Sequence, residues 1–186
     1  SVKLGKGTAS KLNEAVVSIL KERNIELEIF NVSESGVPLF DLSLFQNPPE
    51  AVLQMAVAFK RADVHIWLMP MYHGSLPGVM KNCLDWLEVT SGDEIPYLTD
   101  KLIGMICWAD GGQAMLGIDA MENVAKSLRA WTLPYSIPIV RGELYQASNG
   151  NISAEYNRKL NKLVDMLLKY KRLMSTAVKI NIEVNK

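Results

Sequence analysis

The sequence predicts a single α/β domain of three layers, in which helices cover both faces of a parallel sheet. Helical and strand-like apolar patterns alternate along nearly the whole chain, and short continuous apolar runs indicate strands buried on both faces. The chain has 186 residues, 48% of them hydrophobic, which is enough for one substantial core. Nothing in the composition suggests a second domain, so we expect residues 1–186 to form one unit.

The elements are predicted in a regular order. A helix over residues 8–23 presents Leu12, Val16 and Ile19 on one face, and a short strand covers residues 25–32. Proline and glycine residues then mark a loop before the next helix. The remaining elements are a helix from Val52 to Phe59, a strand at 64–69, a helix from Pro77 through Leu87, a strand at 102–108, a helix to Ala130, a strand at 137–144 and a helix at 153–172 capped by Ser153.

The start of the chain does not fit the usual order of such a fold. A central strand normally comes first, yet Ser1 already lies in what resembles the loop after that strand. Residues 177–184 alternate apolar and polar side chains and predict a terminal strand, and residues 174–177 look like a translation start. We therefore expect a circular permutant with a five-stranded parallel sheet, in which residues 177–184 occupy the central first-strand position. The alternative is an edge strand appended after a truncated N-terminus.

Charge and cysteine content narrow the function classes. Twenty Lys+Arg balance twenty Asp+Glu, and a formal net charge of zero disfavours nucleic-acid or anionic-membrane partners. The sequence has no apolar run that could cross a bilayer and no secretory signal at its start. Cys83 and Cys107 lie in apolar segments without metal-ligand spacing. We expect a cytoplasmic protein without a metal site.

The first candidate site is the loop at residues 1–10, which is rich in glycine, hydroxyl groups and lysine. Glycines allow close backbone approach, and free N–H groups at a helix start attract a phosphate. The candidate ligands are Ser1, Lys3, Gly7, Thr8, Ala9 and Ser10. The dinucleotide pattern G-x-G-x-x-G is incomplete because Ser10 replaces its third glycine, and the P-loop triplet is absent. An ordinary helix start with solvated lysines explains this segment equally well.

The second candidate site follows the strand at 64–69. Residues 70–78 read Pro-Met-Tyr-His-Gly-Ser-Leu-Pro-Gly, and residues 81–86 read Lys-Asn-Cys-Leu-Asp-Trp. This stretch resembles the NADPH-dependent FMN reductase family, whose pattern is P-x-Y-x-x-S-x-P-G followed by K-N-x-x-D-W. The matching positions are Pro70, Tyr72, Ser75, Pro77, Gly78, Lys81, Asn82, Asp85 and Trp86.

The resemblance implies a flavodoxin-like fold, FMN as the cofactor and NADPH or NADH as the electron donor. It also implies that one edge of the isoalloxazine lies against Pro70, Met71, Tyr72, His73, Gly74 and Ser75. Two looser likenesses add to it. Ser1-Val2-Lys3 is similar to the family's S-x-R phosphate segment, with Lys3 in place of arginine, and Ala109, Asp110, Gly111 and Gly112 resemble its Gly-rich loop, which holds the pyrimidine end. The resemblance further implies that this protein forms a homodimer or homotetramer.

The sequence thus favours an NAD(P)H-dependent reductase that passes hydride through FMN to quinones or similar small acceptors. No side chain is assigned to catalysis, because the flavin N5 carries the chemistry. Two alternatives stay open, a non-enzymatic flavodoxin-like electron carrier and a flavin-free scaffold. The neutral charge counts against a carrier, which usually docks through an acidic surface. His73 is a conceivable proton donor, His65 is interpreted as a satisfied structural histidine, and Arg141 has no assigned role.

Overall fold

The protein is described by a computed structural model that covers residues 7–146 and 149–174. The helices and strands are α1 (Thr8–Glu22), α2 (Glu50–Arg61), β1 (Val64–Pro70), α3 (Gly78–Asp85), β2 (Leu102–Ala109), α4 (Ala114–Ser127), β3 (Trp131–Thr132), β4 (Ile137–Val140) and α5 (Ala154–Met174). From α2 onwards they alternate largely as the sequence predicts, except that among the described residues no strand separates α1 from α2 and that two strands follow α4. Short 3-10 turns occur at Val32–Glu34, Leu42–Leu44, Trp86–Thr90 and Arg141–Glu143.

The four described strands form one parallel sheet around β2. All eight residues of β2 are buried, as expected of a strand that is paired on both sides and covered on both faces. β1 pairs along one edge of β2, from Val64 opposite Leu102 to Pro70 opposite Trp108. β3 and then β4 pair along the other edge. Pro134 lies between β3 and β4 and has no N–H to donate, so the ladder is interrupted there.

Alternate residues of β2 face opposite helical layers. Ile103, Met105 and Cys107 pack with α2, α3 and α4, whereas Leu102 and Ile106 pack with α1 and α5. The two apolar clusters lie on either side of the sheet, which confirms the predicted three-layer α/β/α arrangement. The core therefore holds β1, β2 and β4 in place, and the loops that follow these three strands leave the sheet at the same edge.

Two strand predictions need correction. The strand predicted at residues 25–32 is absent, because residues 25–31 pair with no strand among the described residues and Val32 begins a 3-10 turn. The strand predicted at 137–144 ends at Val140, where its partner β2 also ends at Ala109. The short β3 was not predicted. The predicted strand at 177–184, and the permutation inferred from it, lie outside the described residues.

His65 lies in β1 and is structural, but it is not fully satisfied. Its ring makes an edge contact with Phe59 at 5.7 Å, and its buried Nε2 has no hydrogen-bond partner among the described residues. Burial lowers the pKa of His65 from 6.5 to about 4, with a hydrogen bond to the backbone of Phe59 acting in the opposite direction and Lys101 adding to the decrease. His65 is therefore neutral in the folded protein at physiological pH.

This burial predicts acid lability. Between pH 6.5 and about 4 the unfolded chain protonates His65 and the folded protein does not. The contribution of the neutral imidazole is therefore complete above pH 6.5 and falls by up to roughly 3 kcal/mol as the pH drops to 4. Urea unfolding of the wild type and of His65→Leu across this range checks it. The stability difference between the two proteins should change with pH across this range, and a difference that stays constant would contradict the prediction.

Candidate functional site

The candidate site lies at the carboxyl edge of the sheet. β1, β2 and β4 are parallel, so their final residues Pro70, Ala109 and Val140 end at the same edge. In an open α/β sheet, ligands bind at this edge, where loops and helix starts converge. The loops that leave these strands, together with the start of α1, contain every described residue that the sequence predicted for the site.

The loop after β1 is a tight turn. Tyr72 N–H donates to the Ser75 carbonyl and Ser75 N–H donates to the Tyr72 carbonyl, each at 3.0 Å. His73 and Gly74 between them have φ values of 50° and 78°, as a two-residue hairpin of this kind requires. The Tyr72 side chain is 59% exposed. The two hydrogen bonds therefore fix the backbone of the turn, which exposes the Tyr72 ring and backbone groups to solvent.

Met71 anchors that turn to the sheet. Its N–H donates to the Trp108 carbonyl at 2.8 Å, which extends the pairing of β1 with β2 by one residue. Its side chain is half-buried against the core layer that contains α2, α3 and α4. The turn is thus held from the protein side while Tyr72 and His73 stay exposed.

The loop after β2 offers exposed backbone. Ala109 is buried, and Asp110 and Gly112 are exposed. A Cβ placed on Gly112 would meet no atom of residues 7–146 and 149–174 within 4 Å, so these residues leave the space beside this glycine open to a ligand. The carboxylate of Asp110 lies 2.5 Å from Nη2 of Arg141, which follows β4. Arg141 therefore links two loops of this edge, a pairing that the sequence did not indicate.

The start of α1 completes the edge. Gly7 is the N-cap in an extended conformation, and a Cβ placed on it would meet no atom of the described residues within 4 Å. The Tyr145 hydroxyl donates to Thr8 Oγ1 at 3.0 Å, and Lys11 Nζ donates to the Gly150 carbonyl at 2.8 Å. These contacts tie α1 to the segment that follows β4. Ser1 and Lys3 lie outside the described residues.

Ser10 differs from the other predicted ligands. It is buried, and its hydroxyl donates to Glu14 Oε1 at 2.9 Å within the same helix. Ala9 next to it is half-buried against the layer formed by α1 and α5. The sequence analysis did not predict that Lys11 and Tyr145 contribute to this edge.

Lys11 could have been included, because it lies one turn into a helix whose start was already predicted to bind phosphate.

The second half of the 70–86 signature supports the scaffold. Asn82 Nδ2 and Trp86 Nε1 each donate to the Pro38 carbonyl at 2.8 Å, and Asn82 Oδ1 accepts from Phe40 N–H at 2.7 Å. Lys81 forms an ion pair with Asp85 one turn further along α3. The Asn82 and Trp86 side chains therefore attach the segment before α2 to α3 and the residue after it. Lys81 and Asp85 pair within α3 itself.

The described residues offer neither a thiolate nor a metal centre. Burial raises the pKa of Cys107 to about 12 and also raises the pKa of Cys83, whose hydrogen bond with Ser35 acts in the opposite direction. Both thiols therefore stay protonated and poorly nucleophilic. In residues 7–146 and 149–174, His, Cys, Asp and Glu side chains do not gather into a group that could hold a metal ion. A search of the same residues finds no helix long and apolar enough to span a membrane.

Two grooves elsewhere on the surface are separate from this edge. They have volumes of about 350 and 520 Å³ and share Asp165 and Lys169 of α5 among their lining residues. Their lining residues include none from the three loops. We place the candidate site at the carboxyl edge because loops and helix starts converge there in an open α/β sheet.

Comparisons with known proteins identify the family of this chain. Residues 4–143 match the sequence family described as NADPH-dependent FMN reductase. The chain is 26% identical over 151 residues to the NADPH-dependent FMN reductase ArsH of Acidithiobacillus ferrooxidans, covering 80% of this chain and 62% of that protein. It is 23% identical over 177 residues to the FMN-dependent NADPH-azoreductase of Staphylococcus saprophyticus, covering 91% and 90%.

A solved structure supports the fold. FerB of Paracoccus denitrificans, a flavoenzyme NAD(P)H:(acceptor) oxidoreductase, superposes with a TM-score of 0.74 at 21% identity and covers 93% of both chains. The flavodoxin-like α/β fold is thereby confirmed. The chain spans less than two thirds of the length of the ArsH relatives that it matches.

Proposed function

Because the chain belongs to the NADPH-dependent FMN reductase family, we propose that it binds FMN and passes hydride from NADPH or NADH to a small oxidised acceptor. One observation carries this proposal. The signature turn at residues 72–75, the open glycine loop after β2 and the glycine-capped start of α1 lie at one edge of a parallel sheet. The Asp110–Arg141 ion pair and the Tyr145–Thr8 hydrogen bond join the glycine loop and α1 to the segment after β4, and the Met71 N–H joins the start of the turn to the Trp108 carbonyl of β2.

The residues at this edge fit FMN. Among the described residues no side chain caps the start of α1 and no atom fills the space beside Gly7, which suits a phosphate approaching the N–H groups of Thr8 and Ala9. Ser1 and Lys3 complete the proposed phosphate segment, whereas the buried Ser10 hydroxyl donates to Glu14 Oε1 and supports the start of the helix instead. Pro70, Met71, Tyr72, His73, Gly74 and Ser75 would hold one edge of the ring, and Ala109, Asp110, Gly111 and Gly112 the other.

The protein's own part is to bind and orient. When bound, FMN supplies reversible hydride acceptance and donation. The rigid turn would fix the ring edge, and the exposed Tyr72 side chain would limit the space over one of its faces. Backbone N–H groups of Gly111 and Gly112 would stabilise negative charge at the far end. An open, solvent-facing edge suits acceptors such as quinones and azo compounds, in keeping with the azoreductase and oxidoreductase names of the similar proteins.

The proposal includes the finer architecture. On its side away from β2, β1 has no paired strand among the described residues, yet Val64, Ile66 and Leu68 pack with the layer of α1 and α5. A further strand beside β1 would continue that layer. We place residues 177–184 there in a single domain with a five-stranded sheet, as a circular permutation requires. We further propose that the protein forms a homodimer or homotetramer and is cytoplasmic.

An anaerobic titration tests the function. We expect the purified protein, mixed with FMN and freed of excess, to be yellow, to bleach on addition of NADPH, and to recover its colour with a quinone or ferricyanide. A colourless protein after incubation with excess FMN would contradict cofactor binding. If dithionite bleached the bound FMN but neither NADPH nor NADH did so, the result would instead favour an electron carrier, because a carrier binds FMN without oxidising the nucleotide.

A further inference from the structure

The first turn of helix α4 packs directly against Cys107 of β2 and against Met71, and Gly117 makes this close contact possible. A Cβ placed on Gly117 would lie 2.5 Å from Cys107 Sγ and 3.2 Å from both Cβ and Cγ of Met71. Glycine weakens a helix relative to alanine, so its presence inside α4 needs a packing reason. The reason here is that α4 sits directly on β2 and on the residue that follows β1.

The contact with Met71 reaches the turn at residues 72–75. Met71 immediately precedes that turn and is fixed from the sheet side by its hydrogen bond to Trp108. Gly117 and Leu116 of α4 contact this segment from the other side. Gly117 packs against Met71, and Leu116 Cδ1 lies 3.8 Å from the position that a Cβ on Gly74 would occupy. The turn is therefore held between β2 and the first turn of α4.

We propose that Gly117 is a positioning residue for the 72–75 turn. By allowing α4 to lie against Met71, it fixes the turn in the orientation that binds the ring edge of FMN, and it couples this turn to the 110–113 loop that leads into α4. The inference rests on the proposed function, because it concerns affinity for that cofactor.

Gly117→Ala tests it, with Gly104→Ala as the matched control. A Cβ at Gly104 would approach Leu167 Cδ1 to 2.9 Å on the opposite face of the sheet, away from the turn. Both variants overpack the core beside a strand, but only Gly117→Ala pushes on Met71. We expect the Kd for FMN to rise about tenfold or more in Gly117→Ala, because small misplacements of a binding loop are costly. Gly104→Ala should bind FMN within about twofold of the wild type even where its Tm is lower.

A double variant separates positioning from stability. Cys107→Ala removes the sulfur that a Cβ at position 117 would strike, so Cys107→Ala/Gly117→Ala is expected to recover most of the Tm lost in the single variant. The contact with Met71 remains, so FMN affinity should stay weakened relative to Cys107→Ala alone. Wild-type affinity in the folded double variant would overturn the inference, as would a double variant that cannot fold. A wild-type protein that binds no FMN would instead refute the proposed function.

Discussion

Replacing Trp86 with alanine is expected to lower the free energy of unfolding by about 3–5 kcal/mol, the usual cost of truncating a buried tryptophan. The Trp86 side chain is fully buried. It packs against Phe40 and Phe45, with ring centroids 5.3 and 6.1 Å away. Its Nε1 also donates to the Pro38 carbonyl at 2.8 Å. The truncation would therefore leave a cavity and remove a hydrogen bond that pins the segment before α2.

Urea unfolding monitored by circular dichroism would measure this loss. Trp86→Phe is the matched control, because it keeps most of the ring contacts and loses chiefly the hydrogen bond, at a cost of about 1–2 kcal/mol. Trp131→Ala serves as a second control. That side chain is 59% exposed, so its removal should change stability by about 0.5 kcal/mol or less. Similar losses for Trp86→Ala and Trp131→Ala would show that the contacts of Trp86 are not a main support of the fold.

The role of Trp86 illustrates what the sequence could and could not predict about the signature. Spacing alone marked Asn82 and Trp86 as belonging with the turn at 72–75. It did not show that their hydrogen bonds go to Pro38 and Phe40, which lie 42 to 48 positions earlier in the chain. Such distant partners become neighbours only when the helices pack. Half of the signature therefore contributes to the scaffold, and half forms the candidate site.

The fold was predictable where a local pattern determines the structure. Strands β1 and β2 are apolar runs buried on the sheet, and the predicted ends differ from the observed ends by one residue each. Strand β4 was predicted too long because its end depends on its partner. Ala109 is the last residue of β2 and pairs with Val140, so nothing continues the ladder beyond it. The apolar pattern of one strand cannot predict at which residue the neighbouring strand ends.

The candidate site was predictable for the same reason. Pro70, Gly74 and the paired glycines at 111–112 are residues whose backbone properties are visible in the sequence. The positive φ of His73, the ion pair of Asp110 with Arg141 and the hydrogen bond from Tyr145 to Thr8 were not visible. Each depends on how two loops meet in space. The loops themselves could be assigned in advance, but the contacts that connect them could not.

Gly74→Val is expected to weaken FMN binding by about 5- to 150-fold. Space is not the obstacle, since a Cβ at Gly74 would make an ordinary contact of 3.8 Å with Leu116. The obstacle is the backbone, because Gly74 has a φ of 78° and a β-branched residue is strained there. Strain of this kind costs about 1–3 kcal/mol, and the turn can avoid it only by giving up its paired hydrogen bonds. Binding FMN would then have to restore the turn at that cost.

Fluorescence titration of FMN with the wild type, Gly74→Val and His73→Asn would test this prediction. His73 also has a positive φ, of 50°, and asparagine tolerates this conformation better than most residues do. His73→Asn therefore changes the side chain of the turn while preserving its backbone, and it should bind FMN within about threefold of the wild type. If His73→Asn lost as much affinity as Gly74→Val, the imidazole itself would be the important contact. Unchanged affinity in Gly74→Val would mean that the ring edge of FMN does not depend on this turn, and the assignment of residues 72–75 to the site would have to be abandoned.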